Sequence, residues 1–119
     1  MKKILIVEDN EKNLYMMKFL VGHKGYQVIE ARDGVEGVKL ATIEKPDLIL
    51  MDIQLPLLDG YKATKQIKAN EETRNIPVIA LTSFAMIGDR EKTLKAGCNG
   101  YIEKPIDPET FLAEMEKFL

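Results

Sequence analysis

Five short apolar runs recur along this chain, at 3–7, 26–31, 48–51, 77–81 and 100–103, and the stretches between them carry apolar residues at helical spacing. That alternation leaves few architectures open: repeated βα units around a parallel sheet. The central runs, Leu48 to Met51 and Pro77 to Leu81, are almost wholly apolar, as strands covered by helices on both faces must be. Short connections and right-handed crossovers favour the doubly wound, flavodoxin-like (βα)5 three-layer sandwich with strand order 2-1-3-4-5. Helix starts agree with this division. Asn10 is placed to cap the first helix, Asp33 with Glu36 makes a capping-box variant, and Asp107-Pro108 is expected to open the last helix.

In that strand order the topological switch point falls between the first and third strands, and both end in acid. Lys3 to Val7 runs into Glu8-Asp9, and Leu48 to Met51 runs into Asp52. Carboxylates gathered at one sheet edge repel unless a cation or a shared proton intervenes. Oxygen-only ligands suit a hard divalent cation, so Mg²⁺ is expected, with Mn²⁺ able to substitute. Asp9 and Asp52 would ligate through side chains, Glu8 through water, and Gln54 through its backbone carbonyl. The plainer alternative for Glu8-Asp9 is an acidic turn ahead of a capped helix. Two further runs end in useful groups: Leu81 leads into Thr82, and Tyr101-Ile102 into Lys104-Pro105. Asp52 could attack phosphorus to form an aspartyl phosphate, with Lys104 pairing one phosphoryl oxygen and the Thr82 hydroxyl donating to another.

Composition narrows the function classes. At 119 residues the chain is expected to form one domain, 1–119, around one core. A formal net charge of −2 with scattered Lys and Arg offers no concentrated basic surface, so direct nucleic-acid binding is not expected. No apolar run approaches the roughly 20 residues of a membrane span, and the run after Lys2-Lys3 is too short for a signal-peptide core. The one cysteine, Cys98, excludes an internal disulfide and reads as packing in a reducing compartment, which makes the cytoplasm the expected location. His23 reads as a cation near a helix C-terminus.

The set Glu8-Asp9, Asp52, Thr82 and Lys104-Pro105 resembles the receiver domain of two-component response regulators, over the whole chain. Asp52-Ile53-Gln54-Leu55-Pro56 with Asp59-Gly60, and Tyr101-Ile102-Glu103-Lys104-Pro105, are motifs specific to that family. Phe84-Ala85-Met86 with Gly88-Asp89-Arg90-Glu91 is similar to DivK-type single-domain regulators and to the receivers of hybrid histidine kinases. The resemblance implies that Asp52 accepts a phosphoryl group from a phosphohistidine on a histidine kinase or histidine phosphotransfer protein. The protein would be a signalling phosphoacceptor that catalyses its own phosphorylation and dephosphorylation, not a metabolic enzyme. It further implies a switch through Thr82 and Tyr101, a downstream partner on the face of the fourth helix, fifth strand and fifth helix, a cis peptide before Pro105, and tuning of phosphoryl lifetime by Gln54 and Phe84.

Projected at helical periodicity, Met16, Met17, Leu20 and Val21 share one face of the first helix. Tyr15 and Phe19 lie away from it with Leu14 at the edge, and these three are expected to dock a helical phosphodonor. An aspartyl phosphatase is disfavoured because Gln54 stands where its second acid would be. A flavin or nucleotide binder is disfavoured because Glu8-Asp9 would repel a phosphate. A degenerate receiver that only binds partners would lack part of this complete residue set.

Overall fold

The structure is a computed structural model that describes residues 1–83 and 87–119, and residues 87–89 by their backbone only. Five strands, β1 (Lys3–Val7), β2 (Gln27–Ala31), β3 (Leu48–Asp52), β4 (Val78–Thr82) and β5 (Gly100–Glu103), alternate with five helices. The helices are α1 (Glu11–His23), α2 (Gly34–Glu44), α3 (Gly60–Ala69), α4 (Ile87–Lys95) and α5 (Phe111–Glu116). All strand pairs are parallel, and the sheet order is β2-β1-β3-β4-β5, as the alternation of runs required.

Period-two side-chain alternation explains how one sheet supports two apolar layers. Ile4, Ile6, Leu48, Leu50, Ile79 and Leu81 point to the side where α1 and α5 supply Leu14, Met17, Val21, Phe111 and Met115. Leu5, Val7, Ile49, Met51, Val78 and Ala80 point to the other, meeting Ala41 of α2 and Ala63 and Ile67 of α3. Every residue of β3 and β4 is buried, so these two strands form the floor from which the functional groups rise.

Caps fix where the helices begin. Asn10 Oδ1 accepts from the amide of Asn13 at 3.0 Å, and Asp33 Oδ1 from that of Glu36 at 2.7 Å. The last helix departs from expectation. Asp107 Oδ1 accepts from the amide of Glu109, and its carbonyl from Thr110 and Phe111, but 108–110 form only a turn and regular helix starts at Phe111. Asp107-Pro108 thus sets up the entry one turn early.

Leu14 requires a correction. It is 2 % exposed, because Leu14, Met17 and Val21 follow the i, i+3, i+7 stripe that faces the sheet, so it is a core residue and leaves the docking set. Tyr15 and Phe19 are 71 % and 60 % exposed, and the Phe19 ring stacks on His23 with centroids 5.7 Å apart.

Candidate functional site

The register of the central strands delivers the acids to one place. Val7 pairs with Met51 across β1 and β3, so Glu8 and Asp52 emerge side by side at the carboxyl edge. Asp52 lies opposite Leu81, and Thr82 opposite Glu103, which brings Thr82 and Lys104 to the same edge from the other side. The amide of Lys104 donates to the Thr82 carbonyl at 2.8 Å, tying the β5 exit to the end of β4. Glu8, Asp52 and Thr82 are buried and Asp9 is exposed.

Lys104 is the hub. Its Nζ lies 2.6 Å from Glu8 Oε1, in ionic contact without good hydrogen-bond alignment, and 3.1 Å from Asp52 Oδ2. Burial, and then contact with Asp52, push the Glu8 carboxyl up to about 7 against the pull of Lys104. For Lys104, burial disfavours the ammonium, but its close contact with Glu8 and the charge of Asp52 outweigh that and hold it above its ordinary range. Two like charges about 5 Å apart at an effective dielectric of about 20 repel by roughly 3 kcal/mol, which explains why a buried pair of acids recruits the ammonium.

Carboxylate oxygens of Glu8, Asp9 and Asp52 lie within 4.8 Å of one another. A cleft of about 400 Å³ spans them together with Asn10, Asn13, Gln54, Ser83 and Lys104. An all-oxygen set of this charge fits a hard divalent cation that retains several waters. Gln54 donates its amide to Asp52 Oδ1 at 3.2 Å and so orients that carboxylate. Asn13 and Ser83 belong to the cleft although nothing in the sequence marked them as ligands. Asn13 sits one turn inside the helix that Asn10 caps, a position visible only once the helix is placed on the sheet.

The loop from β3 to α3 is held tightly under Asp52. A Cβ on Gly60 would stand 2.2 Å from the Asp52 carbonyl oxygen, so only glycine lets α3 begin so close to the strand end. On the far side a Cβ on Gly34 would meet the Leu58 carbonyl oxygen at 1.8 Å. Between these contacts Leu57 takes φ 66, and the Leu58 amide donates to the Pro56 carbonyl at 2.7 Å, a γ-turn of the strained kind. The Lys104-Pro105 peptide is cis. Tyr101 is half-buried on β5, and Phe84 lies outside the described residues.

Residues 4–116 match the response regulator receiver domain family. The chain belongs to that family. The polar-differentiation response regulator DivK of Brucella anthropi is 47 % identical to this receiver over 118 residues, covering 99 % of this chain and 96 % of its own. DivK of Brucella ovis is 48 % identical with the same coverage. Among solved structures, the receiver domain of a sensor histidine kinase from Pseudomonas aeruginosa, with a magnesium ion coordinated in its active-site cleft, superposes with a TM-score of 0.91. It is 41 % identical, covering 98 % of this chain and 96 % of that one. The chemotaxis protein CheY4 of Vibrio cholerae shares the fold at a TM-score of 0.95 and 27 % identity, covering 100 % and 99 %. This chain is therefore a two-component signalling receiver of the DivK-like kind.

Proposed function

We propose that Asp52 is the phosphoacceptor of this receiver. The supporting observation is the Lys104 ammonium, shared between Glu8 and Asp52 at the carboxyl ends of the two central strands. An Asp52 oxygen attacks the phosphorus of a phosphohistidine, the new O–P bond forms, the P–N bond breaks, and its electron pair returns to the donor imidazole, which takes up a proton. Lys104 pairs one phosphoryl oxygen. Thr82, whose side chain lines a cavity of about 420 Å³ beside Asp52, donates to a second. A bound Mg²⁺, or Mn²⁺ in its place, would supply charge compensation for the crowded oxygens. Asp9 and Asp52 would hold it through their side chains, Glu8 through water, and Gln54 through its carbonyl, while the Gln54 backbone amide, which donates to Asp52 Oδ1, holds Asp52 in place.

Thr82 and Tyr101 carry the state of Asp52 outward to the face of α4, β5 and α5. A surface cavity of about 470 Å³ there, lined by Tyr101, Glu103, Glu114 and Phe118 among others, supports that face as the seat of a downstream protein. Tyr15 and Phe19 are the exposed aromatic anchors for a histidine kinase or phosphotransfer donor, close to the cleft that α1 borders through Asn10 and Asn13. Gln54, at the mouth of the cleft, and Phe84 set how fast water removes the phosphoryl group in self-catalysed dephosphorylation. The receiver works as one unit over 1–119 in the cytoplasm. Among the described residues no helix is long and apolar enough to cross a membrane.

The test is intact mass after incubation with acetyl phosphate, with and without Mg²⁺, for the native chain and Asp52→Ala. One added phosphoryl group that needs the metal and is lost in the variant is expected. A native chain that stays unmodified with a histidine kinase as donor, even after rapid quenching, overturns the reading. Loss of transfer from the cognate donor in Tyr15→Ala/Phe19→Ala, with acetyl phosphate still effective, is expected of the docking role.

A further inference from the structure

The cavity beside Asp52 continues outward between α3 and α4. It shares Asp59, Tyr61 and Lys92 with an adjoining space of about 320 Å³ whose lining, among the described residues, is completed by Lys62, Lys65 and Lys95. Lys62 and Lys65 stand three residues apart on α3, and Lys92 and Lys95 three apart on α4, so each helix presents two ammoniums one turn apart. All four are exposed, and among the described residues none of them is in an ion pair. Asp59, the one acid among the described residues of this outer lining, caps α3 by accepting from the Lys62 amide at 3.0 Å and offsets one of the four lysine charges, leaving the described lining net positive. Four like charges have thus been gathered in one groove of a chain whose formal net charge is −2.

We propose that the α3–α4 groove is a docking site for an acidic helix of a partner protein. The spacing selects a helix. Three residues rise about 4.5 Å along a helix axis, so carboxylates at i and i+3 or i+4 of a partner match the lysine pairs, whereas same-face residues of a strand lie about 6.8 Å apart. The amount of charge selects a protein. Two or three carboxylates saturate the groove, while a nucleic acid gains affinity by continuing along a basic track that a chain of net charge −2 does not extend. Lys92 and Tyr61 line both the groove and the Asp52 cavity, so the docked helix rests against the rim of that site.

The experiment titrates the isotope-labelled full chain, unphosphorylated and at low salt, with a synthetic helical peptide carrying Glu at i, i+3 and i+4 positions, and with its Gln counterpart. Amide shifts concentrated on α3 and α4 are expected, with affinity falling as salt rises. Binding should weaken at least tenfold in Lys62→Glu/Lys95→Glu and to a smaller degree in Lys62→Gln/Lys95→Gln. It should be unchanged in Lys24→Glu/Lys39→Glu, which alters exposed lysines elsewhere. Equal binding of the Gln peptide, shifts spread over the surface, or equal weakening by the control variant overturns the proposal. So does a single-stranded oligonucleotide that occupies the same amides more tightly than the Glu peptide.

Discussion

The guanidinium carbon of Arg90 lies 5.1 Å from the centre of the Tyr101 ring, so a side chain of α4 covers one of β5. A cation over an aromatic face at an exposed position contributes about 0.5–1 kcal/mol. Arg90→Ala is therefore expected to destabilise the chain by about that amount in urea denaturation, and Arg90→Lys by less. An unchanged midpoint for Arg90→Ala would show that the contact holds nothing in place.

Two glycines make a matched pair of opposite sign. At Gly60 an added methyl would collide with backbone atoms, the Asp52 carbonyl oxygen and Ile53 Cα at 2.7 Å, which cannot swing aside as a side chain can. Gly60→Ala is expected to cost about 1–3 kcal/mol and to slow modification of Asp52 by acetyl phosphate. Gly22, inside α1, has nothing within 4 Å of such a methyl, and Gly22→Ala should stabilise by about 0.5–1 kcal/mol. Urea midpoints moving in the same direction for both variants would refute the steric account.

Removing the hub cation isolates two buried acids. Lys104→Met should lower stability by about 3–5 kcal/mol at pH 8, because Glu8 and Asp52 then face each other with no ammonium between them. The deficit should shrink at pH 5, where protons relieve the repulsion. Denaturation of both proteins at the two pH values checks this, and a deficit independent of pH would point to lost packing instead.

Tyr26 gives a pH dependence with a definite sign. Its hydroxyl donates to Glu116 Oε2, and that bond first, then burial and the Glu116 charge, raise the phenol above its ordinary value of 10.0. The folded state binds this proton more tightly than the unfolded one, so the contribution is complete below pH 10 and is lost as pH rises through the folded value. Native protein should lose stability above pH 10 faster than Tyr26→Phe. Parallel curves would remove Tyr26 as the source.

Much of this was legible in the residues because the functional groups sit where strands end, and strand ends are written as apolar runs meeting polar residues. Glu8, Asp52, Thr82 and Lys104 needed only the strand order to be brought together. What stayed hidden depends on contacts between distant segments. The pairing of Glu8 with Lys104 joins the first strand's end to the last strand's end, and no local pattern marks it. The burial of Leu14 turns on which stripe of α1 faces the sheet, a rotation that an apolar-rich helix leaves ambiguous. Asp107-Pro108 carried a sound helix-start signal, yet the chain makes a turn there before Phe111 enters the core. Arg90 over Tyr101 and the four-lysine groove require α4 to be set against its neighbours, which periodicity does not specify.

Because adjacent residues of each strand serve opposite apolar layers, the sheet is a party wall between two households. Ile6 and Leu50 keep company with α1 and α5, while Leu5 and Ile49, their immediate neighbours in the chain, answer to α2 and α3. Cores accept many simultaneous apolar exchanges provided volume is kept, and here the volume to be kept is counted separately on each side. Descendants of this sequence can therefore drift on the α1–α5 side while the α2–α3 side is inherited nearly intact, and the strand ends that carry Asp52 and Lys104 stay put through either history.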